Sequence, residues 1–167
     1  MAEKDTVYSS KIKYSGVFSF KDFYKFCYEW LTEETGLTIT ENKYSEKISG
    51  DSKSIEIKWS GTREMTDYFK IEADVSFMVM GLTKVEVNEN GKKIETNKGT
   101  VQLGIKSSLV RDYNGKFETT AFNKFLRGVY EKWVIPSRIN EFQGKISSDS
   151  DEFLAQAKAY LDLEGKR

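Results

Sequence analysis

"YFKIEADVSFMVMGL", residues 68 to 82, is the stretch that decides the fold. Its period-two alternation puts Phe69, Ile71, Ala73, Val75, Phe77 and Val79 on one face and Lys70, Glu72, Asp74 and Ser76 on the other. That is the pattern of a half-buried strand. Toward its end the polar side changes to Met78 and Met80. Both faces are apolar there, so something is expected to cover the methionines.

Further along, "VEVNENGKKIE" (85–95) carries Asn90-Gly91 between two alternating runs. Both residues accept positive φ, which predicts a type I′ hairpin pairing Glu89 with Lys92, Val87 with Ile94 and Glu86 with Glu95. The next run alternates Val101, Leu103, Ile105 and Leu109 with Gln102, Lys106 and Ser108, and Asn114-Gly115 reads as another turn. In the other direction, "SIEIKWSG" (54–61) alternates Ile55, Ile57 and Trp59 with Glu56 and Lys58. A loop at Asp51-Ser52 would set Ile48 opposite Ile55 and Tyr44 opposite Trp59, apolar against apolar. "VYSSKIKY" (7–14) reads as a short first strand.

Helical spacing brackets these strands. In "FKDFYKFCYEWL" (20–31), Phe20, Phe23, Tyr24, Cys27 and Leu31 recur at i, i+3, i+4 and i+7, with Ser19 as N-cap and Gly36 as stop. Trp30, Tyr28 and Phe26 widen the apolar arc to over half the circumference, more than a simple surface helix needs. This helix is therefore expected to sit in a groove or a concave sheet. Late in the chain Phe122, Phe125, Leu126, Val129, Tyr130 and Trp133 form another stripe, which Pro136 ends or kinks. Ile139, Phe142 and Ile146 suggest an irregular continuation, and a short last helix is expected from near Ser150, with Phe153, Leu154, Ala157, Tyr160 and Leu161 inward. The order predicts one α+β domain over residues 1–167: a curved antiparallel sheet of about six strands, with an N-terminal helix and two C-terminal helices on one face.

This order resembles the helix-grip arrangement, in which a curved antiparallel sheet wraps a C-terminal helix. The segments "FYKFCYEWL", "KYSEKISGDSK", "DYFKIE" and "FLRGVYEKWVIPSRI" resemble those of small archaeal proteins of unknown function. That resemblance implies an intracellular protein and carries over no catalytic residue.

Composition excludes more than it selects. Twenty-six basic and 26 acidic residues cancel, which removes the broad attraction to phosphate of a nucleic-acid binder. One cysteine forbids an internal disulfide, and the lack of histidine removes the commonest metal ligand and neutral-pH base. No signal pattern precedes Val7 and no apolar run approaches the ~18 residues of a membrane span, so a cytoplasmic location is expected. Cys27 lies on an apolar helix face with nothing to activate it. The acids Glu41, Glu46, Glu56, Glu64, Asp67, Glu72 and Asp74 mostly alternate with lysines as solvated strand residues do, and no phosphate loop is present.

The sequence therefore points to a non-enzymatic binding or scaffold protein that needs no cofactor or metal and engages a protein partner or assembly. Trp59, Phe77, Met78, Met80, Tyr130 and Trp133 are the candidate contact residues. A carrier for a small hydrophobic molecule, held between sheet and helices, is the alternative. A third reading is an RNA-associated accessory protein that stacks bases on strand aromatics such as Tyr8, Tyr14, Tyr44, Trp59 and Phe69.

Overall fold

The computed structural model describes residues 3–113, 121–129, 132 and 136–165, the side chains of 121–123 and 127 excepted. Five strands make a single open antiparallel sheet in the order β1-β5-β4-β3-β2. They are β1 (Glu3–Phe18), β2 (Thr38–Ser49), β3 (Ser52–Glu64), β4 (Phe69–Glu89) and β5 (Lys92–Arg111). The helices described are α1 (Phe20–Glu29), which runs on into a wider π-helical turn at Trp30–Glu34, α2 (Ala121–Val129) and α3 (Pro136–Gly165).

The topology follows from hairpins plus one long return. Strands β2 to β5 form a meander of antiparallel neighbours, and β1 pairs with β5 at the far side. Consecutive strands β1 and β2 thus lie at opposite edges, so α1 has to carry the chain across the face of the sheet. Ser19 starts that crossing: its hydroxyl accepts from the Asp22 amide at 3.3 Å. Phe23, Cys27 and Leu31 are fully buried under the helix. The wide apolar arc is explained by two neighbours rather than one. Phe23 and Tyr24 meet Phe77 and Trp59 of the sheet, while Phe26 stacks on Tyr160 and Trp30 leans on Phe153, both of α3. Gly36, at φ +72, then turns the chain out, and the Leu37 amide donates back to the Leu31 carbonyl at 3.2 Å.

The β4–β5 hairpin has the register read from the sequence: Asn90 and Gly91 take φ 53 and 78, and Glu89, Val87 and Glu86 pair with Lys92, Ile94 and Glu95. Among the described residues the strands number five, not about six, and Gly81 does not end β4. At φ +61 it absorbs a bulge between Met80 and Thr83, and β4 runs unbroken from Phe69 to Glu89. Gly99 faces that bulge, where a Cβ would sit 3.1 Å from the Leu82 Cα and from the Met80 carbonyl oxygen.

The β2–β3 register differs from the expected one. Gly50, at φ +61, and Asp51 make the turn, so Ile48 meets Lys53, Tyr44 meets Ile57, and Glu41 lies opposite Trp59. A slip of two residues preserves the face of each side chain but changes its partner. β2 is the edge strand of the sheet, with Ile48 at 73% exposure.

The C-terminal half also departs from expectation. Residues 136–165 form one continuous helix, and Pro136 stands at its first position, where a missing amide hydrogen costs nothing. Phe142, Ile146, Ser150, Phe153, Leu154, Ala157 and Leu161 make a single buried stripe, and packing along it overrides the weak propensity of the run of serines and aspartates at 147–151. Ser150 belongs to the stripe because its hydroxyl bonds that of Ser107 on β5 at 2.7 Å. The expected inward packing of the 122–133 stripe does not hold where it is described: Phe125, Leu126 and Val129 of α2 are exposed. Tyr130, Trp133 and the Asn114-Gly115 turn lie outside the described residues.

Candidate binding surface

The sheet has two chemically different faces. Under α1 and α3, Trp59 of β3 and Phe77 of β4 meet edge to face at 4.8 Å, each 1% exposed. Tyr24 stands on Trp59 at 5.2 Å. The Trp59 indole donates to a Glu41 carboxylate oxygen at 3.2 Å, and the Tyr24 hydroxyl donates to the same oxygen at 2.8 Å. Burial, followed by this bond to a negative acceptor, pushes the Tyr24 hydroxyl up to about 12. The rings of Trp59 and Phe77 are therefore core. The space between sheet and helices beside Leu31, Ile71, Ile105 and Ile146 amounts to about 20 Å³, water-sized and too small for a carried ligand.

The interior offers little chemistry. Cys27 is buried, and burial pushes its thiol well up, so it stays protonated at neutral pH. Among the described residues no three Cys, Asp or Glu side chains converge in a way that would hold a metal ion.

The opposite face of the sheet carries no helix among the described residues. Met78 and Met80 project there from β4, the middle strand, with 42% and 40% of their surface exposed. Met78 is flanked by Gln102 and Glu56, and Met80 by Thr100. Beside them lies an open hollow of about 720 Å³, bordered by Lys11, Lys58, Asp74 and Lys106 and walled by serines such as Ser60 and Ser76. Gly104 keeps it deep: a Cβ there would lie 3.2 Å from the Ser76 hydroxyl and 3.6 Å from the Lys11 Cβ. Toward the far end of this face Lys4 and Lys70 clasp Glu72 at 3.1 and 3.2 Å. Burial alone would raise the Glu72 pKa, but the two lysines outweigh it and hold it low.

The third part of the surface is an arm. Pairing of β3 with β4 stops at Leu82, and pairing of β1 with β5 stops at Asn97. Beyond those points β4 and β5 pair only with each other as far as the Asn90-Gly91 turn. On one side of this two-stranded ribbon Val87 pairs with Ile94 and Val85 with Thr96; this side borders a small cleft shared with Val17, Asp22 of α1 and Glu164 of α3, and Ile94 is partly exposed there.

The structure thus separates the residues that the sequence grouped. Trp59 and Phe77 face the helices, Met78 and Met80 face the other way, and Tyr130 and Trp133 lie outside the described residues. The strand aromatics named as a stacking platform all belong to the helix side: Tyr8 donates to Asp151 of α3, Tyr14 neighbours Gly165, Tyr44 meets Tyr24 of α1, and Phe69 packs on Phe142. In the sequence Glu41 reads as a solvated strand carboxylate, because only the actual β2 register places it beside Trp59. The free length of the arm was likewise hidden, since it depends on where β1 and β3 end. No protein-family model matches the chain, and no curated protein matches it. No helix described is long and apolar enough to cross a membrane.

Proposed function

We propose that this protein is a non-enzymatic binding module, cytoplasmic in location, that docks a partner protein on the helix-free face of its sheet. The observation that supports this reading most is the exposure of Met78 and Met80 at the centre of that face, next to an unfilled hollow. A sheet face left to water normally alternates to polar residues, as this strand does from Lys70 to Ser76. Methionine is flexible and polarizable, and suits a surface that must adapt to a partner. Two methionines alone make a patch too small for a stable interface. The hollow beside them, bordered by Lys11, Lys58, Asp74 and Lys106, extends the surface that a partner would meet.

For the carrier reading, the space under the helices at Leu31, Ile71, Ile105 and Ile146 is water-sized, and the hollow of about 350 Å³ between α1 and β2 at Phe20, Tyr24, Glu41 and Tyr44 is open to solvent. The RNA reading finds its rings on the covered side of the sheet.

The test is affinity capture with the full chain and with Met78→Glu/Met80→Glu. Both side chains are exposed, so the double variant should keep the wild-type unfolding midpoint. A partner held by the wild type and lost by the variant is the expected result. If the folded variant retains every protein that the wild type captures, the helix-free face is not the docking surface.

A further inference from the structure

On the helix side of the sheet, Phe20, Tyr24, Glu41 and Tyr44 line the hollow of about 350 Å³ between α1 and β2. Small-molecule sites run from roughly 300 to 1,000 Å³, so this one has room for a ligand. Phe20 and Tyr24 stand one turn apart on α1, with their rings 6.1 Å apart and tilted by 51°. Tyr44 meets Tyr24 edge to face at 6.4 Å and is 46% exposed. Strict alternation would send Glu41 and Tyr44 to opposite faces of the sheet, because an odd number of residues separates their positions. The bulge at Asn42 cancels that: Glu41 lies opposite Trp59 and Tyr44 opposite Ile57, on the same helix-facing side. Bulges that re-aim a side chain recur next to functional sites.

The electrostatics of the hollow are one-sided. Glu41 takes both of its bonds, from the Trp59 indole and the Tyr24 hydroxyl, on a single carboxylate oxygen, and both donors are neutral. Among the described residues no lysine or arginine pairs with it. Glu46, by contrast, accepts the Tyr44 hydroxyl and has the Lys53 ammonium at 3.5 Å. A carboxylate without a counter-ion, set among ring faces, attracts a cation. Lys21 indicates which kind. Its ammonium borders the hollow and does not close on Glu41. A primary ammonium is strongly hydrated and gains little by leaving water for aromatic rings. A cation whose charge is wrapped in methyl groups loses less water, and its methyls pack on the rings.

We propose that this hollow binds a methylated ammonium group, held on the rings of Phe20, Tyr24 and Tyr44 and against the Glu41 carboxylate. Several rings around a point of negative charge are the chemistry that recognises quaternary ammonium. The site lies on the other side of the sheet from Met78 and Met80, so it stands or falls separately from partner docking.

The experiment is titration of the full chain with choline, read by calorimetry and by the NMR shift of the Trp59 indole proton, which is bonded to Glu41. Choline should bind saturably and move that resonance. The neutral alcohol with a tert-butyl group in place of the trimethylammonium should do neither. Glu41→Gln keeps an acceptor for both donors and removes the charge, and should weaken choline binding about ten-fold. Tyr44→Ala should weaken it roughly two- to five-fold, the effect of one exposed ring on a cation. A peptide carrying trimethyl-lysine separates the two sources of such a group. Tighter binding than choline assigns the ligand to a protein side chain, and binding of choline alone assigns it to a free small molecule. Equal binding by the neutral alcohol, or by the same peptide with unmethylated lysine, overturns the inference. So does absence of binding by both choline and the methylated peptide, or unchanged binding by folded Tyr44→Ala. Should Glu41→Gln fail to fold, Tyr44→Ala decides, because that ring is half exposed.

Discussion

Glu41 shows how one carboxylate can serve the core from the rim of a sheet. It accepts both the Trp59 indole and the Tyr24 hydroxyl, closing the polar ends of two rings whose bodies are packed. The arrangement predicts a specific pH dependence. Tyr24 ionises at about 12 in the folded protein against an ordinary 10.0. Between those values the unfolded chain releases the proton and the folded one keeps it, so the stabilisation is complete below pH 10 and is lost as pH rises toward 12. Tyr44, bonded to Glu46 and also pushed up to about 12, acts in the same window but is half exposed and more screened. Urea midpoints measured across that range should fall more steeply for the wild type than for Tyr24→Phe. The Cys27 thiol leaves a residual slope in both, since its pKa is raised too. Parallel slopes would mean that burial and the Glu41 bond do not hold the Tyr24 proton in the folded chain.

At the level of elements, legibility tracked how local the determining signal was. The Asn90-Gly91 hairpin was readable to the residue because two positive-φ positions and the flanking alternation fix its register. Helix α1 was readable from its cap, its stripe and Gly36. The β2–β3 register was not, because Gly50 and Asp51-Ser52 offered competing turns and apolar pairing favoured the wrong one. The long helix α3 was hidden by low propensity around Ser150, which packing along its buried stripe, including the Ser150–Ser107 bond, overrides. The arm lets the local signal be tested apart from the fold. Gly91→Val forces a β-branched side chain into left-handed backbone, at a cost of roughly 1–2 kcal/mol. A two-stranded ribbon is barely stable alone. Hydrogen exchange should therefore quicken at residues 84–96, while amides of residues 71–79, in the middle of the sheet, keep their protection and the global midpoint moves little. If the variant lowers protection across the whole sheet, the arm is part of the cooperative unit and not a free extension.

For the whole molecule, the topology leaves two long edges that the fold must keep from pairing with other chains. Each edge strand is interrupted by a bulge, at Val7 in β1 and at Asn42 in β2. The β1 edge is also partly covered, since α3 packs against it. The β2 edge carries its bulge and the charges of Glu41, Lys43, Glu46 and Lys47, with Tyr44 and Ile48 exposed among them. Bulges and lysines are the usual means of blunting an edge. Sequence alternation could reveal that this segment was a strand, but not that it was an edge, because that follows from β1 joining the sheet at the far side of β5. The consequence can be tested by deleting Asn42 and replacing Lys43 with Thr. Neither residue is buried, so the sheet should still form, although the deletion removes the Asn42 bond to Ser60 and costs a modest amount of stability. What should change is association: a flat edge of twelve residues, less its bulge, presents unpaired amides and carbonyls in register. Light scattering should show mass rising with concentration for this variant and a constant mass for the parent over the same range. A parent that already associates through β2, or a variant that stays at constant mass, would show that the bulge is not what keeps this edge apart.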